Sequence, residues 1–394
     1  MLPLDSIAAF DPASPDQFFA ALPPLPAVFL VEPRAEFAGA RPVLLRTADL
    51  ARRMRLLLGP PDPRTKRLNL RDLASGIRFR VTGSKFEQAL VLWQHARSLW
   101  PAAYRRRLRL RPASLVKLNL SNPYPRAYST RRVGADGLYF GPFASRRAAE
   151  TFLEPFQDLF RLRRCQIKIR RDPAFPGCIY SEMKMCLAPC FAGCTDEDYA
   201  AERDRVVAFL TSRGVSLTEE LERDREAASA ALDFERAAAV HRRLDKVDAL
   251  ARLTPEVARR VDRLDAVVLA RAAQPSSIAV FVVRAGRIAD PFLLEFAALA
   301  SQPRSAEEIL RQHLESAGEE TAPVAVAERE DHLALLARWF YARPRQGEIF
   351  FADHPSRESD GGPAVWPYRR LVRACSRVLA GAAAPEENPP PAQL

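Results

Sequence analysis

Five of the six cysteines, Cys165, Cys178, Cys186, Cys190 and Cys194, fall within thirty residues, in CQIKIRRDPAFPGCIYSEMKMCLAPCFAGC, while Cys375 stands alone. No other feature limits the fold of this chain so tightly. In a reducing cytoplasm such a cluster is a poor source of disulfides, whereas four converging thiolates hold zinc or an iron–sulfur cluster. Cys186 and Cys190 stand four positions apart with Pro189 just before the second, so one turn can present both sulfurs, and Cys165 and Cys178 arrive from a loop to close the site. The cluster contains no histidine, which points to all-sulfur ligation. Spacing alone does not choose zinc over iron and sulfide. Cys194 reads as an unused or alternate thiol and Cys375 as a small hydrophobe. The surrounding segment, 105–200, has only short apolar runs. Small elements are expected there, with coordination supplying the folding free energy that a core would otherwise provide.

The same segment carries the charge. The whole chain has a balance of +11, with Arg far outnumbering Lys. From Arg105 to Arg171 there are 17 basic and 4 acidic residues, a local balance of +13. Guanidinium forks suit phosphate. Tyr104, Tyr124, Tyr128, Tyr139, Phe140 and Phe143 interleave with the cations and could stack on bases, so the segment reads as nucleic-acid binding. The cations expected to contact DNA are Arg105, Arg106, Arg107, Lys117, Arg126, Arg131, Arg132, Arg163 and Arg164.

Periodicity divides the rest into an α+β, multidomain chain. Residues 1–20 read as a loose leader. A small α/β unit follows over 20–104: strands in AVFLV, PVLL and FRVTG, and helices in ADLARRMRLLL and SKFEQALVLWQHARSLW. Residues 201–254 form a helical hairpin around Leu232, Asp233 and Phe234, with Asp233 able to cap the second helix. Its apolar stripe is too small to satisfy alone, so the hairpin should dock on a partner or another copy of itself, through Leu232, Phe234, Ala237, Ala238 and Leu244. A second module with alternating strands spans 258–375, and 376–394 reads as a disordered Pro/Ala-rich tail. No stretch approaches the roughly 18 to 20 apolar residues of a membrane span, and the first residues lack signal-peptide character, so a cytoplasmic location is expected.

Three segments, in this order, resemble one family: YPRAYSTRRVGADGLYFGPFAS at 124–145, the cysteine run ending in CLAPC at 186–190, and LDFERAAAVHRRLDKV at 232–247. The chain looks like a truncated member of the bacterial UvrC excinuclease family, and the last segment is similar to the UVR motif through which that family contacts UvrB. The resemblance implies a [4Fe-4S] cluster on Cys165, Cys178, Cys186 and Cys190, with zinc as the alternative. It also implies that 20–104 is a GIY-YIG nuclease domain. Here the departures matter: Phe29 and Val43 stand where the family has its tyrosines, Leu45 where it has a glycine, Leu92 at the metal glutamate and Tyr104 at the late asparagine, while Arg53 retains the helix arginine. Leu92 offers no oxygen to a Mg²⁺-class ion and Val43 no hydroxyl, so no catalytic Mg²⁺ is expected. Glu87 would substitute only with a five-residue shift in helix register. Residues 258–375 resemble part of the family's RNase H-like region. Asp353, His354, Glu358 and Asp360 form an acidic group with a histidine, but HPSRESDGGP reads as a surface loop.

The expected function is a DNA-binding nucleotide-excision-repair protein that binds a UvrB-like partner without incision of its own. The alternatives are an active structure-specific endonuclease and a non-nuclease adaptor docking through the hairpin.

Overall fold

The computed structural model describes residues 1–37, 39–61, 64, 67–134, 136–299, 303–316, 325–354 and 364–381. The first unit comprises β1 (Ser6–Ala9), α1 (Pro15–Ala21), β2 (Ala27–Pro33), β3 (Val43–Thr47), α2 (Leu50–Leu58), β4 (Ala74–Val81) and α3 (Lys85–Leu99). Its sheet is antiparallel, in the order β1-β4-β2-β3. Both longer helices start on side-chain caps: Asp49 accepts from the Arg52 amide at 2.8 Å and Ser84 from the Glu87 amide at 3.1 Å. Residues 1–20 are not a loose leader. β1 pairs Ser6 to Ala9 with Phe79 to Gly76, and buried Phe18 meets Phe10 edge-on at 5.1 Å. A four-residue edge strand carries too little alternation to register as a sequence pattern, and the unit begins before residue 20.

The middle region follows through α4 (Tyr104–Arg107), β5 (Ser114–Leu118), β6 (Ala127–Thr130), β7 (Leu138–Phe143), α5 (Arg146–Leu159), α6 (Ile179–Glu182) and α7 (Asp196–Ser212). The helical hairpin is α8 (Val215–Ala230) and α9 (Phe234–Leu253), after which β8 (Arg259–Arg260) returns to the edge of the middle sheet, whose order is β6-β5-β7-β8. The expectation that this region lacks a core is corrected. α5 is amphipathic and lays Phe152 and Phe156 on the sheet, where Phe140 stacks on Phe152 and Phe152 on Phe156, each pair with ring centroids 5.5 Å apart. Phe209 of α7 and Leu217, Leu221, Val240, Leu244 and Val247 of the hairpin complete the same cluster. The apolar signal is spread in short runs from Val116 to Ala258, so no single window reveals it.

The last module holds β9 (Ala266–Arg271), β10 (Ser277–Arg284), β11 (Arg287–Ile288), β12 (Phe292–Glu295), α10 (Phe296–Leu299), α11 (Ala306–Ser316), α12 (Val326–Phe340), β13 (Glu348–Phe351) and α13 (Tyr368–Ala380). Its sheet runs β11-β10-β9-β13 with β12 also on β10, and every pairing is antiparallel. The architecture is thus α+β. α11 and α13 cover one face, and fully buried Cys375 packs there as a small hydrophobe. α13 continues to Ala380, past the boundary expected at 375, because Leu371, Ala374 and Val378 carry its apolar stripe through the tail's first residues. The rest of the expected tail, 382–394, lies outside the described residues.

α12 covers the other face together with α3 of the first unit. One continuous cluster joins Phe86, Leu90 and Trp93 of α3 to Phe281 of β10 and to Leu336 and Trp339 of α12. Phe86 meets Phe281 edge-on at 4.9 Å and Trp339 at 5.1 Å. Among the described residues no helix is long and apolar enough to cross a membrane.

Candidate functional site

Between α5 and α7 the chain runs without regular structure apart from α6 and one short turn, and this irregular path carries the cysteines. Polar ties hold it, together with Leu162 and Leu187 packed on the middle core. Buried Arg163 donates from Nε to the Tyr124 carbonyl at 2.6 Å and from Nη1 to the Cys165 and Ile167 carbonyls, both at 3.0 Å. The fully buried Tyr199 hydroxyl accepts from the Arg163 amide at 2.9 Å and donates to the Pro125 carbonyl at 2.9 Å. The Leu187 amide reaches the Arg161 carbonyl at 2.9 Å and the Asp172 amide the Cys190 carbonyl at 3.0 Å. Ala188 and Ala192 take left-handed backbone conformations around the turn bearing Cys190, and the Ala188 amide donates to Cys186 Sγ at 3.3 Å.

All six cysteines are free thiols. Burial pushes the Cys186 thiol up to about 11, and Cys165, Cys178 and Cys190 lie near enough to raise it further by like charge. Cys190 likewise feels burial first and then Cys178 and Cys165. These four thiols therefore share one neighbourhood. Cys194 stands apart: burial raises it, and its charged neighbours are Arg171, Asp198, Asp196 and Arg161. Among the described residues no three His, Cys, Asp or Glu side chains converge closely enough to chelate a single ion. Cys165, Cys178, Cys186 and Cys190 offer sulfur alone, the donor type of iron–sulfide and of zinc sites.

The cations sort into two groups. Arg106, Arg107, Arg131 and Arg132 are exposed, and Lys117 and Arg126 are half-buried over the rings of Tyr139 and Tyr128. Arg107 lies over the Trp100 ring at 4.3 Å. Three of the expected DNA contacts are engaged within the chain. Arg163 is buried and spends its donors on carbonyls, Arg164 donates to the Gln157 carbonyl and Asp158, and Arg105 is engaged by Asp331 at 2.7 Å and Glu330 at 3.2 Å. Charge density in sequence does not tell a structural guanidinium from a displayed one. Four of the expected stacking aromatics, Tyr104, Tyr139, Phe140 and Phe143, are buried, leaving Tyr124 and Tyr128 half-exposed. Exposed Arg109, Arg111, Arg147, Lys168 and Arg170 join the displayed group, and their place in the same basic run is the signal that could have found them.

The positions that the resemblance would assign to nuclease groups do not converge. Phe29 is fully buried against α1 and α2, where Val43 and Leu45 also pack, and half-buried Arg53 sits on α2. Leu92 and Tyr104 lie on the opposite face of the sheet, in the cluster shared with α12. Alternate strand residues face opposite sides, so the sheet itself separates the two sets. Glu87 is buried, accepting from the Gly83 amide at 2.9 Å and lying 3.4 Å from Arg80 Nε, while burial raises its carboxyl above the usual range.

The hairpin buries one face and displays its tip. Leu244, expected at the partner surface, is buried within the chain's own core beside Val240 and Val247, because α9 lies across α5 and α8. Leu232 and Phe234 at the turn remain 73% and 66% exposed, Ala238 is exposed and Ala237 half-buried. Leu232 holds a left-handed φ of 58°, strained for a residue with a Cβ, and Asp233 caps α9 by accepting from the Arg236 amide at 3.0 Å. Of the acidic group near the end, exposed Asp353 pairs its backbone with Val365, and His354 Nε2 lies 3.6 Å from the Asp265 carboxylate. Glu358 and Asp360 lie outside the described residues.

Two regions of the chain match known families in sequence. Residues 114–209 match the UvrC/Cho excinuclease middle domain, and residues 216–250 match the UvrB/uvrC motif. Among curated relatives, all named UvrABC system protein C, the protein of Acetivibrio thermocellus is 26% identical over 59% of this chain and 39% of its own length. That of Desulforudis audaxviator is 33% identical over 59% of this chain and 38% of its own length. That of Carboxydothermus hydrogenoformans is 28% identical over 77% of this chain and 52% of its own length. The chain thus spans about two fifths to one half of the relatives it matches. No solved structure matches.

Proposed function

We propose that this chain, a UvrC-family relative through its middle domain and UVR motif, serves nucleotide excision repair as a DNA-holding component that recruits a UvrB-like partner and does not itself cut. The observation that carries this reading is the pairing of a displayed apolar hairpin tip, Leu232 and Phe234, with a sheet whose nuclease-aligned positions are packed away on opposite faces. Exposed aromatic and aliphatic side chains at a strained turn suit docking into an apolar pocket. Leu92 gives no ligand to a metal ion, and Glu87 is already committed to the start of α3.

In this reading Arg106, Arg107, Arg131 and Arg132 bind the phosphate backbone, while half-exposed Tyr128 offers a stacking face. The cysteine centre holds a [4Fe-4S] cluster on Cys165, Cys178, Cys186 and Cys190. Bound there, the cluster would tie the irregular path to the middle sheet and contribute folding free energy. The chain's own residues prepare the place: Arg163 clamps the backbone at Cys165, and the backbone at Ala188 presents an amide to Cys186.

The test is a labelled damaged duplex incubated with UvrA, UvrB, Mg²⁺ or Mn²⁺ and this protein. A retained protein–DNA complex without new nicks is expected. Nicks that vanish in an Arg53→Ala variant would overturn the non-cutting reading.

A further inference from the structure

Residues 131–137 join β6 to β7, and among them Arg131 and Arg132 are exposed, neither held by an ion pair or a side-chain hydrogen bond among the described residues. Three successive backbone amides of this loop are given to side-chain acceptors. The Arg132 amide donates to Thr130 Oγ1 at 3.2 Å and the Gly134 amide to the Tyr139 hydroxyl at 2.7 Å, both acceptors within the same hairpin. The Val133 amide between them donates to Glu330 Oε1 at 2.9 Å, on α12 of the last module and 197 residues away in sequence. The Val133 side chain is buried in the cluster shared by the first unit and the last module. At the loop's exit Gly137 holds a φ of 102°, and a Cβ there would meet the Leu118 carbonyl oxygen and Lys117 Cε, each at 2.9 Å. The backbone is pinned while two guanidiniums stay outside.

The Glu330 carboxylate is itself fixed, with a side chain only 14% exposed. Its second oxygen accepts from Arg105 Nη1 at 3.2 Å, and Arg105 is fastened to the Ala327 carbonyl at 2.8 Å and to Asp331 at 2.7 Å. Beyond the other end of α12 the Tyr341 hydroxyl donates to the Pro142 carbonyl of β7 at 2.9 Å, so the helix is braced against the middle sheet at two places. Electrostatics gives no reason for an acid at this spot, since a carboxylate behind a loop of arginines lowers the local positive potential and repels phosphate. Geometry gives one. A charged acceptor bonds an amide more strongly than a neutral one, and a loop already in its binding shape loses less freedom when it meets a ligand.

We propose that Glu330 is a positioning residue for DNA binding: α12 holds the β6–β7 loop in the shape that offers Arg131 and Arg132 to the phosphate backbone. The proposal rests on the DNA-binding reading and deepens it, because it gives the last module a part in holding the strand.

Fluorescence anisotropy of a labelled DNA duplex, on the full chain at one salt concentration, compares the parent with Glu330→Ala, Glu330→Gln, Arg131→Gln/Arg132→Gln, and that pair combined with Glu330→Ala. Glu330→Ala should weaken binding about tenfold, the loss that follows if the untied loop holds its binding shape about a tenth of the time. Glu330→Gln, which keeps an oxygen for the Val133 amide, should recover most of that loss. Once the two arginines are gone, Glu330→Ala should change the affinity little, since its effect runs through them. Equal or tighter binding by Glu330→Ala would overturn the proposal, because the acid would then act only as a charge. An undiminished loss in the absence of the two arginines would overturn it too, as would equal losses in the Ala and Gln variants. Failure of the parent chain to bind the duplex would instead remove the DNA reading on which the proposal stands.

Discussion

The Tyr104 hydroxyl donates to the Asp331 carboxylate at 2.5 Å across 227 residues of sequence, in the buried seam where α3 meets α12. The same carboxylate accepts from Trp93 Nε1 at 3.1 Å and pairs with Arg105 Nε at 2.7 Å. Three donors from the end of α3 and the start of α4 thus converge on one acid of the last module. Tyr104 is thus a structural tie, and half-buried Arg105, a cation of the densest basic run, joins it.

Removing that acid should be severe. Asp331→Ala leaves Trp93, Tyr104 and Arg105 without their acceptor and is expected to cost about 3–5 kcal/mol, as when one partner of a buried pair is deleted. Tyr104→Phe, which removes one of the three donors, should cost only about 1 kcal/mol. Urea unfolding of the two variants beside the parent checks both the size and the order.

His332 should make stability depend on pH. It is buried beside Trp93, its Nδ1 accepts from the Ile288 amide at 3.0 Å, and burial pushes its folded-state value down to about 4. The unfolded chain therefore binds the proton more readily, with an ordinary value of roughly 6.5. Stability should be full above that ordinary value and fall as pH drops toward 4, by about 3 kcal/mol if this group acts alone. A His332→Gln variant should lose that component of the decline in chemical unfolding measured across the interval.

Phe152 lies between Phe140 and Phe156 in the middle core, so Phe152→Ala should destabilise by about 3–5 kcal/mol. If the cysteine centre alone held this region, the variant would melt with the parent in a thermal scan.

Phe234→Ala should leave the melting temperature unchanged, since the ring is exposed, yet weaken binding to UvrB by about 30-fold, as expected for an anchoring aromatic worth about 2 kcal/mol. Titration by calorimetry reads the affinity directly, and equal binding by parent and variant would remove the docking role of the tip.

Anaerobically purified protein should be brown and carry iron and sulfide. Cys186→Ser should bleach it, whereas Cys194→Ser should not, because Cys194 lies outside the neighbourhood shared by the other four. Absorbance with metal analysis decides, and colourless protein with stoichiometric zinc would reassign the centre.

The elements that sequence announces well are those whose pattern is local. The apolar runs of β9 and β10, buried on both faces rather than alternating as expected, the cap at Asp233 and the turn at Leu232 are all readable in short windows. What escapes depends on distant partners. β1 gains its place only from β4, and the aromatic ladder of α5 needs Phe140 and Phe209 to become a core. Likewise Arg163 and Arg105 look like displayed cations until the Tyr124 carbonyl and Asp331 are beside them.

A helix that serves as spine to two sheets leaves no perforation along which the molecule could be torn. Excising the first hundred residues would strip α3 from Phe281 and Trp339 and bare a wide greasy surface to water. Whatever else the first sheet does, it is timber for the last module, and the chain cannot shed it without opening that seam.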